Sequence, residues 1–317
     1  MALIFQRLAR NFIKNGYFPT DEETITRIVN MIDAPPNASI QLFDPCCGEG
    51  IALAECGHHL KESGCDVTTA AIEFNQERAL HAKTLLHHVV HADIQDCVVG
   101  QQQFGMLWLN PPYGDRLTDQ SDQASSSKGR DRLEKYFLSA TLPSLQYGGL
   151  LVYIVPHYVL DKHLARQLAI SLDKASVYRL TEERFRQVVV LGYRRRQVPA
   201  GKPEKAFIEK LLAIREDRLV ADELPVTVKT LNKIVKRDGK LQRETLNAHR
   251  YTLPAATRTR PVILAPGINA GGRAGFRACA FTGWSQVVGE RWYTQAEGSD
   301  NGVSGNRRWD GRNPHPG

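Results

Sequence analysis

The chain has 317 residues, of which 42% are hydrophobic, and it carries a formal net charge of +7 with a sequence pI of about 9.1. This length allows one large domain, or one domain with an appendage, and enough apolar side chains for a substantial core. The positive charge favours an anionic partner such as nucleic acid. No segment approaches the roughly 18 apolar residues of a membrane span, and residues 1–12 do not resemble a secretory signal. We therefore expect a soluble, cytoplasmic protein with reduced thiols and no membrane partner.

Two groups of potential metal ligands lack the spacing of a metal site. The six cysteines contain no C-x-x-C pair, so no zinc site is expected. His87, His88 and His91 lie close together, but no carboxylate or cysteine at a matching spacing accompanies them. Histidines on the surface or in a loop are the better interpretation, and the sequence predicts no metal.

The first part of the chain predicts two helices. Residues 1–15 place apolar side chains at helical spacing. Residues 16–20, which read GYFPT, interrupt that pattern. Thr20 or Asp21 can then cap a second helix that runs to about Ile32.

A strand, a glycine turn and a helix follow. The strand is predicted over 39–43, the turn reads DPCCGEG over 44–50, and the helix is predicted over 51–63. Glycines allow the backbone to approach a ligand closely, and a helix N-terminus supplies free N–H groups, so this layout suits a nucleotide-type ligand. The spacing matches neither a dinucleotide-binding fingerprint nor a phosphate-binding loop.

Two acidic residues close the next two predicted strands. Glu73 ends the strand over 66–72, and Asp93 ends a short strand that follows a helix over 75–86. An acid at the end of the second strand can hold both hydroxyls of a ribose. A carboxylate at Asp93 can accept a hydrogen bond from an adenine amino group. Helix capping is the alternative for each acid.

The most informative stretch is Asn110-Pro111-Pro112-Tyr113. It follows the apolar run Phe104–Leu109 and precedes a polar, Ser-rich segment over 114–130. It therefore lies where a core strand leaves the sheet, which is the edge at which open α/β sheets bind ligands. Two prolines make the turn rigid and leave their carbonyls free to accept hydrogen bonds. The Asn side chain and a neighbouring carbonyl can accept hydrogen bonds from an amino group, and the Tyr ring can stack on a planar ring. A plain strand-ending turn is the alternative.

The rest of the chain predicts further elements of the sheet and two later regions. Helices are expected over 132–145, 161–172 and 204–218, and strands over 150–155, 177–180 and 188–193. Residues 201–254 are predicted to form a basic extension of helical or mixed structure that could contact a substrate. Residues 255–317 are rich in Gly and Arg, and a poorly ordered tail is expected there.

Together these residues resemble the class I S-adenosylmethionine-dependent methyltransferases, and within them the amino-methyltransferases that modify N6 of adenine. The resemblance covers about residues 12–196 and depends on the order and intervals of positions 44, 73, 93 and 110. It implies a Rossmann-like α/β fold with a mostly parallel seven-stranded sheet and helices on both faces. It also implies S-adenosyl-L-methionine as the cofactor and a methyltransferase domain over residues 1–200.

The resemblance assigns roles to individual residues. The turn over 44–50 matches the first cofactor motif of this family, and Asn110–Tyr113 matches its catalytic motif. The predicted cofactor contacts are Tyr17, Pro19, Thr20, Asp44, Pro45, Cys46, Gly48, Gly50, Glu73, Phe74, Asp93, Ile94 and Asn110. The predicted substrate contacts are Tyr113, Phe185, Arg194, Arg195 and Arg196. Phe185 stands where the family presents an aromatic ring to the target base, with an ordinary core position as the alternative.

The leading functional hypothesis is a DNA N6-adenine methyltransferase. The same four-residue motif also serves methyltransferases that act on RNA bases or on the glutamine amide of release factors, and both remain alternatives. A nucleic-acid-binding protein that has lost its cofactor is a third hypothesis, which the intact Gly48, Gly50, Glu73 and Asn110 disfavour. The net charge and the cluster Arg194–Arg196 favour a phosphate-bearing substrate over a peptide.

Overall fold

The computed structural model describes residues 18–114, 132–181, 186–196, 204–226, 230–237, 240–247, 250–257, 262–268 and 274–280. The α-helices are α1 (Glu22–Val29), α2 (Ile51–Glu62), α3 (Gln76–Leu85), α4 (Leu133–Thr141), α5 (Lys162–Ser171) and α6 (Lys205–Arg215). The strands before residue 200 are β1 (Ile32–Asp33), β2 (Ser39–Asp44), β3 (Asp66–Glu73), β4 (His88–His91), β5 (Val98–Val99), β6 (Phe104–Leu109), β7 (Leu145–Pro156), β8 (Leu172–Arg179) and β9 (Gln187–Arg194). The later strands are β10 (Thr230–Arg237), β11 (Lys240–Asn247), β12 (Tyr251–Thr252), β13 (Val262–Ile268) and β14 (Ala274–Ala280). The helix predicted over 1–15 lies outside the described residues.

The central sheet has seven strands in the order β4-β3-β2-β6-β7-β9-β8. The first five run parallel, and β9 pairs antiparallel with both β7 and β8. The predicted mostly parallel seven-stranded sheet is therefore confirmed. The chain moves outward from β2 to β4 and then returns to the other side of β2 as β6. The strand order reverses between β2 and β6, and a crevice for a ligand is expected at their carboxyl ends.

Helices cover both faces of this sheet, as predicted. Successive side chains of a strand point to opposite faces, so Phe43 and Leu107 pack on one face while Leu42 and Met106 pack on the other. The first face is covered by apolar side chains of α4, α5 and α6. The second is covered by those of α1, α2 and α3. Burial on both faces explains why the central strands are almost uniformly apolar.

Helix α1 begins at the capping position that the sequence indicated. The side chain of Asp21 accepts a hydrogen bond from the backbone N–H of Thr24 at 2.9 Å. The helix ends at Val29, earlier than predicted, because Ile32 leaves the helix and joins strand β1. The cap fixes where the chain enters the helix, and so it also fixes the three residues before it.

Residues beyond 250 also pack against the elements that surround the central sheet. Strand β12 pairs in parallel with β1, and both Tyr251 and Leu253 are buried. The carbonyl oxygen of Pro254 comes within 3.0 Å of the position that a Cβ would take at Gly105 in β6. Glycine at position 105 therefore suits the close approach of the chain at Pro254, which a larger side chain would displace.

Strands are present in both regions near the C-terminus. Strands β10 and β11 form an antiparallel pair within the extension that was predicted to be helical or mixed. Strand β13 lies within the predicted tail and pairs with β5 through Ile263, whose side chain is fully buried. The poor order predicted for the tail stays a prediction. Residues 281–317 lie outside the described part of the chain.

No helix among the described residues has both the length and the apolar character that a bilayer crossing requires.

Candidate active site at the strand-order reversal

The glycine turn after β2 is tied to the neighbouring strand. Gly48 and Gly50 have φ values of 57° and 85°, a region that favours glycine. A Cβ at Gly50 would lie 3.1 Å from both the Cβ of Ala82 and the Cδ1 of Leu86, so space is limited as well. The backbone N–H of Cys47 donates to the carbonyl of Ile72 in β3 at 3.1 Å. The turn is thus a fixed cradle at the N-terminus of α2.

Asp44 is a buried carboxyl at the edge of a cavity. Its Oδ1 accepts the N–H of Cys46 at 2.9 Å, and its side chain is almost fully buried. Burial, with a contribution from the nearby charge of Glu73, raises the pKa of Asp44 to about 7. The cavity has a volume of about 200 Å³ and is lined by Pro19, Thr20, Ile25, Asp44, Cys46, Cys47, Glu49, Ile51, Ala52, Trp108 and Asn110. A cationic group in this cavity would favour the ionised form of Asp44.

Glu73 joins the end of β3 to the glycine turn. Its Oε2 accepts the N–H of Gly48 at 2.9 Å, and its Oε1 accepts the N–H of Asn75 at 2.8 Å. Arg78 also donates to Oε1, at 2.6 Å through Nη2. Helix α3 is capped by Asn75, so capping does not explain Glu73. A carboxylate oxygen has two lone pairs, and Oε2 keeps acceptor capacity for a hydroxyl group.

The residues around the second acid divide into exposed and buried positions. Phe74 follows Glu73 and is 71% exposed, so its ring is available to a planar group. Asp93 caps the short 3₁₀ turn Ile94–Asp96 by accepting the N–H of Gln95 at 2.9 Å, which agrees with the capping alternative. Ile94 packs in the core, so its side chain is not placed to contact a ligand.

Asn110 lies at the end of β6 and faces the same cavity as Asp44. Its Nδ2 donates to the carbonyl of Phe18 at 2.7 Å and to Oγ1 of Thr20 at 3.1 Å. A carbonyl oxygen can only accept, so the amide nitrogen must face Phe18 and the amide oxygen must point the other way. The Sγ of Cys46 lies 3.4 Å from the Asn110 carbonyl oxygen, which brings the two predicted motifs into contact.

Tyr113 is held by three neighbours. Its hydroxyl donates to Oδ1 of Asn110 at 3.1 Å and accepts a hydrogen bond from Nε2 of Gln187. Its ring stacks on Phe18 with centroids 4.7 Å apart and an interplanar angle of 18°. Burial raises the pKa of Tyr113 far above its usual range, so the hydroxyl keeps its proton at neutral pH. One face of Tyr113 is therefore covered by Phe18, and the predicted stacking on a substrate ring would use the other face or displace Phe18.

The structure does not bring the arginine cluster to this site. Gln187 pairs with Pro156 at the carboxyl end of β7, whereas Tyr193 pairs with Leu150 six residues further along β9 near the opposite edge. There Arg194 donates to the carbonyl of Pro143 at 2.9 Å and lies 4.7 Å from the Tyr147 ring centroid.

The other two arginines have partners at the same far edge. Arg195 pairs with Asp173 at 2.6 Å, and Arg196 lies 5.7 Å from the Tyr147 ring centroid. The predicted contact between this cluster and a substrate at Asn110 is not supported by these positions. Tyr17 and Phe185 lie outside the described residues.

Sequence reasoning missed several residues of the site. Cys47 and Glu49 lie within the recognised turn, and Arg78 follows Glu73 by five positions, so local signals existed for these three. Phe18 and Gln187 meet Tyr113 only through the tertiary fold, and no local pattern indicated them. Across the ranges described above, no group of three or more His, Cys, Asp or Glu side chains is arranged to hold a metal.

Comparisons with known proteins place this geometry in context. The model of a family described as an "uncharacterised methyltransferase family (DUF6094)" matches residues 1–222. No curated protein matches the sequence. Among solved structures, a putative class I S-adenosylmethionine-dependent methyltransferase from Listeria monocytogenes is 12% identical, with 66% of this chain and 76% of that chain covered and a TM-score of 0.47.

A second solved structure is the methyltransferase subunit of a type I restriction-modification system from Streptococcus thermophilus. It is 18% identical, with 68% of this chain and 57% of that chain covered and a TM-score of 0.44. A methyltransferase from Thiobacillus denitrificans in complex with S-adenosyl-L-homocysteine is 16% identical, with 49% of this chain and 56% of that chain covered and a TM-score of 0.29. All three TM-scores lie below 0.5, and these likenesses are too distant to indicate a substrate.

Proposed function

Because the chain belongs to the uncharacterised methyltransferase family DUF6094, whose model spans residues 1–222 of its 317, we propose that it methylates the N6 amino group of adenine in DNA. The order of the central sheet confirms the predicted fold. Membership of a methyltransferase family supports S-adenosyl-L-methionine as the cofactor. The chemistry of the acceptor is the proposal, and the position of Asn110 carries it.

The crevice at the strand-order reversal has the features that this cofactor needs. Gly48 and Gly50 let the backbone approach it, the buried Glu73 has acceptor capacity for a ribose hydroxyl, and the exposed ring of Phe74 can pack on its adenine. Ionised Asp44 would stabilise positive charge in the cavity. When bound, S-adenosyl-L-methionine supplies an electrophilic methyl group on a sulfonium.

Asn110 is oriented before any substrate binds. Both hydrogens of its amide nitrogen are used by Phe18 and Thr20, so Oδ1 is the group available to an incoming amine. Oδ1 and the carbonyl of Pro111 would accept the two amine hydrogens. The nitrogen lone pair, released from conjugation with the ring, would then point along the line of transfer. A fixed geometry of this kind lowers the activation barrier mainly by positioning the reacting groups.

The site does not require a strong base. An aromatic amine loses its proton readily once the methyl group has been added and positive charge has formed on nitrogen. Tyr113 stays protonated, and its hydroxyl donates a hydrogen bond to Oδ1 of Asn110. Its role is therefore to hold the amide oxygen and to offer a ring face. In a duplex the target base would be flipped out, at a cost of a few kcal/mol that stacking at about 1–3 kcal/mol per base can offset.

Nucleic acid is favoured over a protein acceptor by the charge of the whole chain. The net charge of +7 suits phosphates, whereas a glutamine amide on a peptide does not call for it. RNA bases and the glutamine amide of release factors remain the alternative acceptors, because all of them present a planar amino group to the same two oxygens.

The acceptor can be identified by methyl transfer with three substrates in parallel. The protein is incubated with tritiated cofactor and with DNA, RNA or a release factor, and the modified nucleosides or amino acids are then separated by chromatography. We expect label in N6-methyladenine from DNA. Label confined to RNA or to the release factor, or no label above an Asn110→Ala control in any acceptor, would contradict the proposal.

A further inference from the structure

A second, larger cavity lies beside the catalytic motif. It has a volume of about 420 Å³, within the roughly 300–1,000 Å³ typical of ligand sites. The ends of β7 and β8, the start of β9 and the chain after α6 form its walls. His157, Arg186, Gln187, Asp217 and Val220 are among the residues that line it. We call it the flanking cavity.

The wall of the flanking cavity combines apolar and charged surface. Leu180, Val188 and Ile214 are buried in the wall, and Val220 is 77% exposed beside them. Arg186 and His157 face the same space together with Asp217. An apolar surface next to a cationic group suits a ligand that has both a flat ring and an anion.

The charged groups are held in an unusual backbone arrangement. Arg186 and Asp217 have φ values of 47° and 55°, in the left-handed region that non-glycine residues seldom adopt. They form an ion pair at 2.6 Å, and Nε2 of His157 lies 3.5 Å from the same Asp217 oxygen. Asp217 takes this conformation because it ends α6 in the way that many helices end, with the N–H of Arg218 donating to the carbonyl of Ala213 at 2.8 Å. An exposed ion pair adds little stability, so an incoming phosphate can replace the carboxylate on Arg186.

The flanking cavity and the catalytic motif share one side chain. Gln187 lines the cavity, and its Nε2 donates to the hydroxyl of Tyr113, which donates to Oδ1 of Asn110. Resting on the function proposed above, we propose that the flanking cavity holds the nucleotide next to the target base. Its ring would lie on the apolar wall, and its phosphate would bind Arg186.

The test is the binding of a fluorescein-labelled, mixed-sequence, single-stranded DNA of roughly 12 nucleotides, a length within the range that single-strand sites cover. Anisotropy is measured over a range of salt concentrations. Val220→Trp places a large side chain in the cavity, and Arg186→Gln removes the guanidinium that would bind the phosphate. Val226→Trp and Arg218→Gln are matched controls, because both residues are exposed and neither lines the cavity.

We expect each cavity variant to weaken binding at least fivefold and each control to stay within twofold. Arg186→Gln should also reduce the slope of log affinity against log salt by about 0.7, the value for one lost phosphate contact on a single strand. Cofactor affinity measured by calorimetry should remain at the wild-type value, which shows that the variants are folded.

The inference would be overturned if both cavity variants kept the wild-type DNA affinity and salt dependence, or if the wild-type protein did not bind the DNA. This failure can be told apart from failure of the proposed function. Methyl transfer to DNA that the cavity variants leave unchanged would contradict only the role of the flanking cavity. DNA binding that depends on the cavity, without formation of N6-methyladenine, would contradict only the proposed acceptor.

Discussion

At the scale of single residues, burial of charge dominates the chemistry of the site. Asp44 and Glu73 are buried at the ends of β2 and β3, and burial together with the charge of Glu73 raises the pKa of Asp44 to about 7. In the free protein this carboxyl therefore loses its proton at a much higher pH than an ordinary aspartate. A group that is costly to ionise in the free protein is useful when the ligand itself brings positive charge.

Asp44→Asn should change the pH dependence of stability. The folded protein keeps a proton on Asp44 between its ordinary pKa near 3.8 and the raised value of about 7, while the unfolded chain loses it. Wild-type stability should therefore fall as pH rises through this range. The variant should remove that fall and gain up to a few kcal/mol at pH 8, since one pKa unit corresponds to about 1.4 kcal/mol. Urea unfolding of the cofactor-free protein at pH 5 and pH 8 measures this. The same change in the free energy of unfolding between the two pH values in both proteins would refute the raised pKa of Asp44.

Glu73→Ala should weaken cofactor binding by roughly 1–3 kcal/mol, the cost of leaving buried partners without an acceptor. Its loss removes the acceptor of the Gly48 N–H and one partner of the Arg78 guanidinium. Glu77→Ala is the matched control, because Glu77 is exposed in the first turn of α3, four residues after Glu73. Calorimetry with S-adenosyl-L-methionine gives both constants. Equal affinity in the two variants would remove Glu73 from the ribose role.

At the scale of elements, much of the fold was predictable because local signals and tertiary packing agree. The apolar run Phe104–Leu109 and the strands on either side of the sheet were indicated by composition alone. Asp21 gave the start of α1 through its capping side chain. Those signals are local, and the physical causes of strand and cap lie within a few residues.

Other elements depended on contacts that a sequence pattern does not contain. The antiparallel direction of β9 carries Gln187 to the site and Arg194 away from it, so the basic cluster lies far from Asn110. The pairing of β13 with β5 joins residues more than 150 positions apart. Such long-range pairing cannot be inferred from local composition.

Asp21→Ala should destabilise the protein by about 1 kcal/mol, the usual cost of losing a capping side chain. The substitution leaves the N–H of Thr24 without its acceptor. Asp21→Asn keeps a capping oxygen and should retain most of the stability. Denaturant midpoints for the three proteins provide the comparison, and an equal loss in both variants would show that the cap is not the cause.

The returning segment over 250–257 should be part of the folding unit. Leu253 is fully buried, so Leu253→Ala should cost about 2–5 kcal/mol through the cavity that it leaves. Val226→Ala is the control, since Val226 is 61% exposed. Chemical unfolding followed by tryptophan fluorescence distinguishes them. A loss below about 1 kcal/mol at Leu253, the size expected of a surface change, would mean that the segment is not packed as described.

At the scale of the whole molecule, the sheet order places two distant stretches at one crevice. The glycine turn after β2 and the motif after β6 are separated by more than sixty residues, yet Cys46 and Asn110 are in contact. The segment before α1 closes the arrangement, because Phe18 and Thr20 fix the amide of Asn110. The proposed transfer of a methyl group to an amine depends on this single convergence.

The most direct test of that convergence compares chemistry with cofactor binding in Asn110→Ala. Methyl transfer to the accepted DNA is measured in a single turnover, and the dissociation constant of S-adenosyl-L-methionine is measured by calorimetry. We expect transfer to fall by at least about a hundredfold, since positioning is the main catalytic contribution, while cofactor affinity stays within a few-fold of wild type. Transfer at the wild-type rate, or a loss explained entirely by loss of cofactor binding, would contradict the role assigned to Asn110.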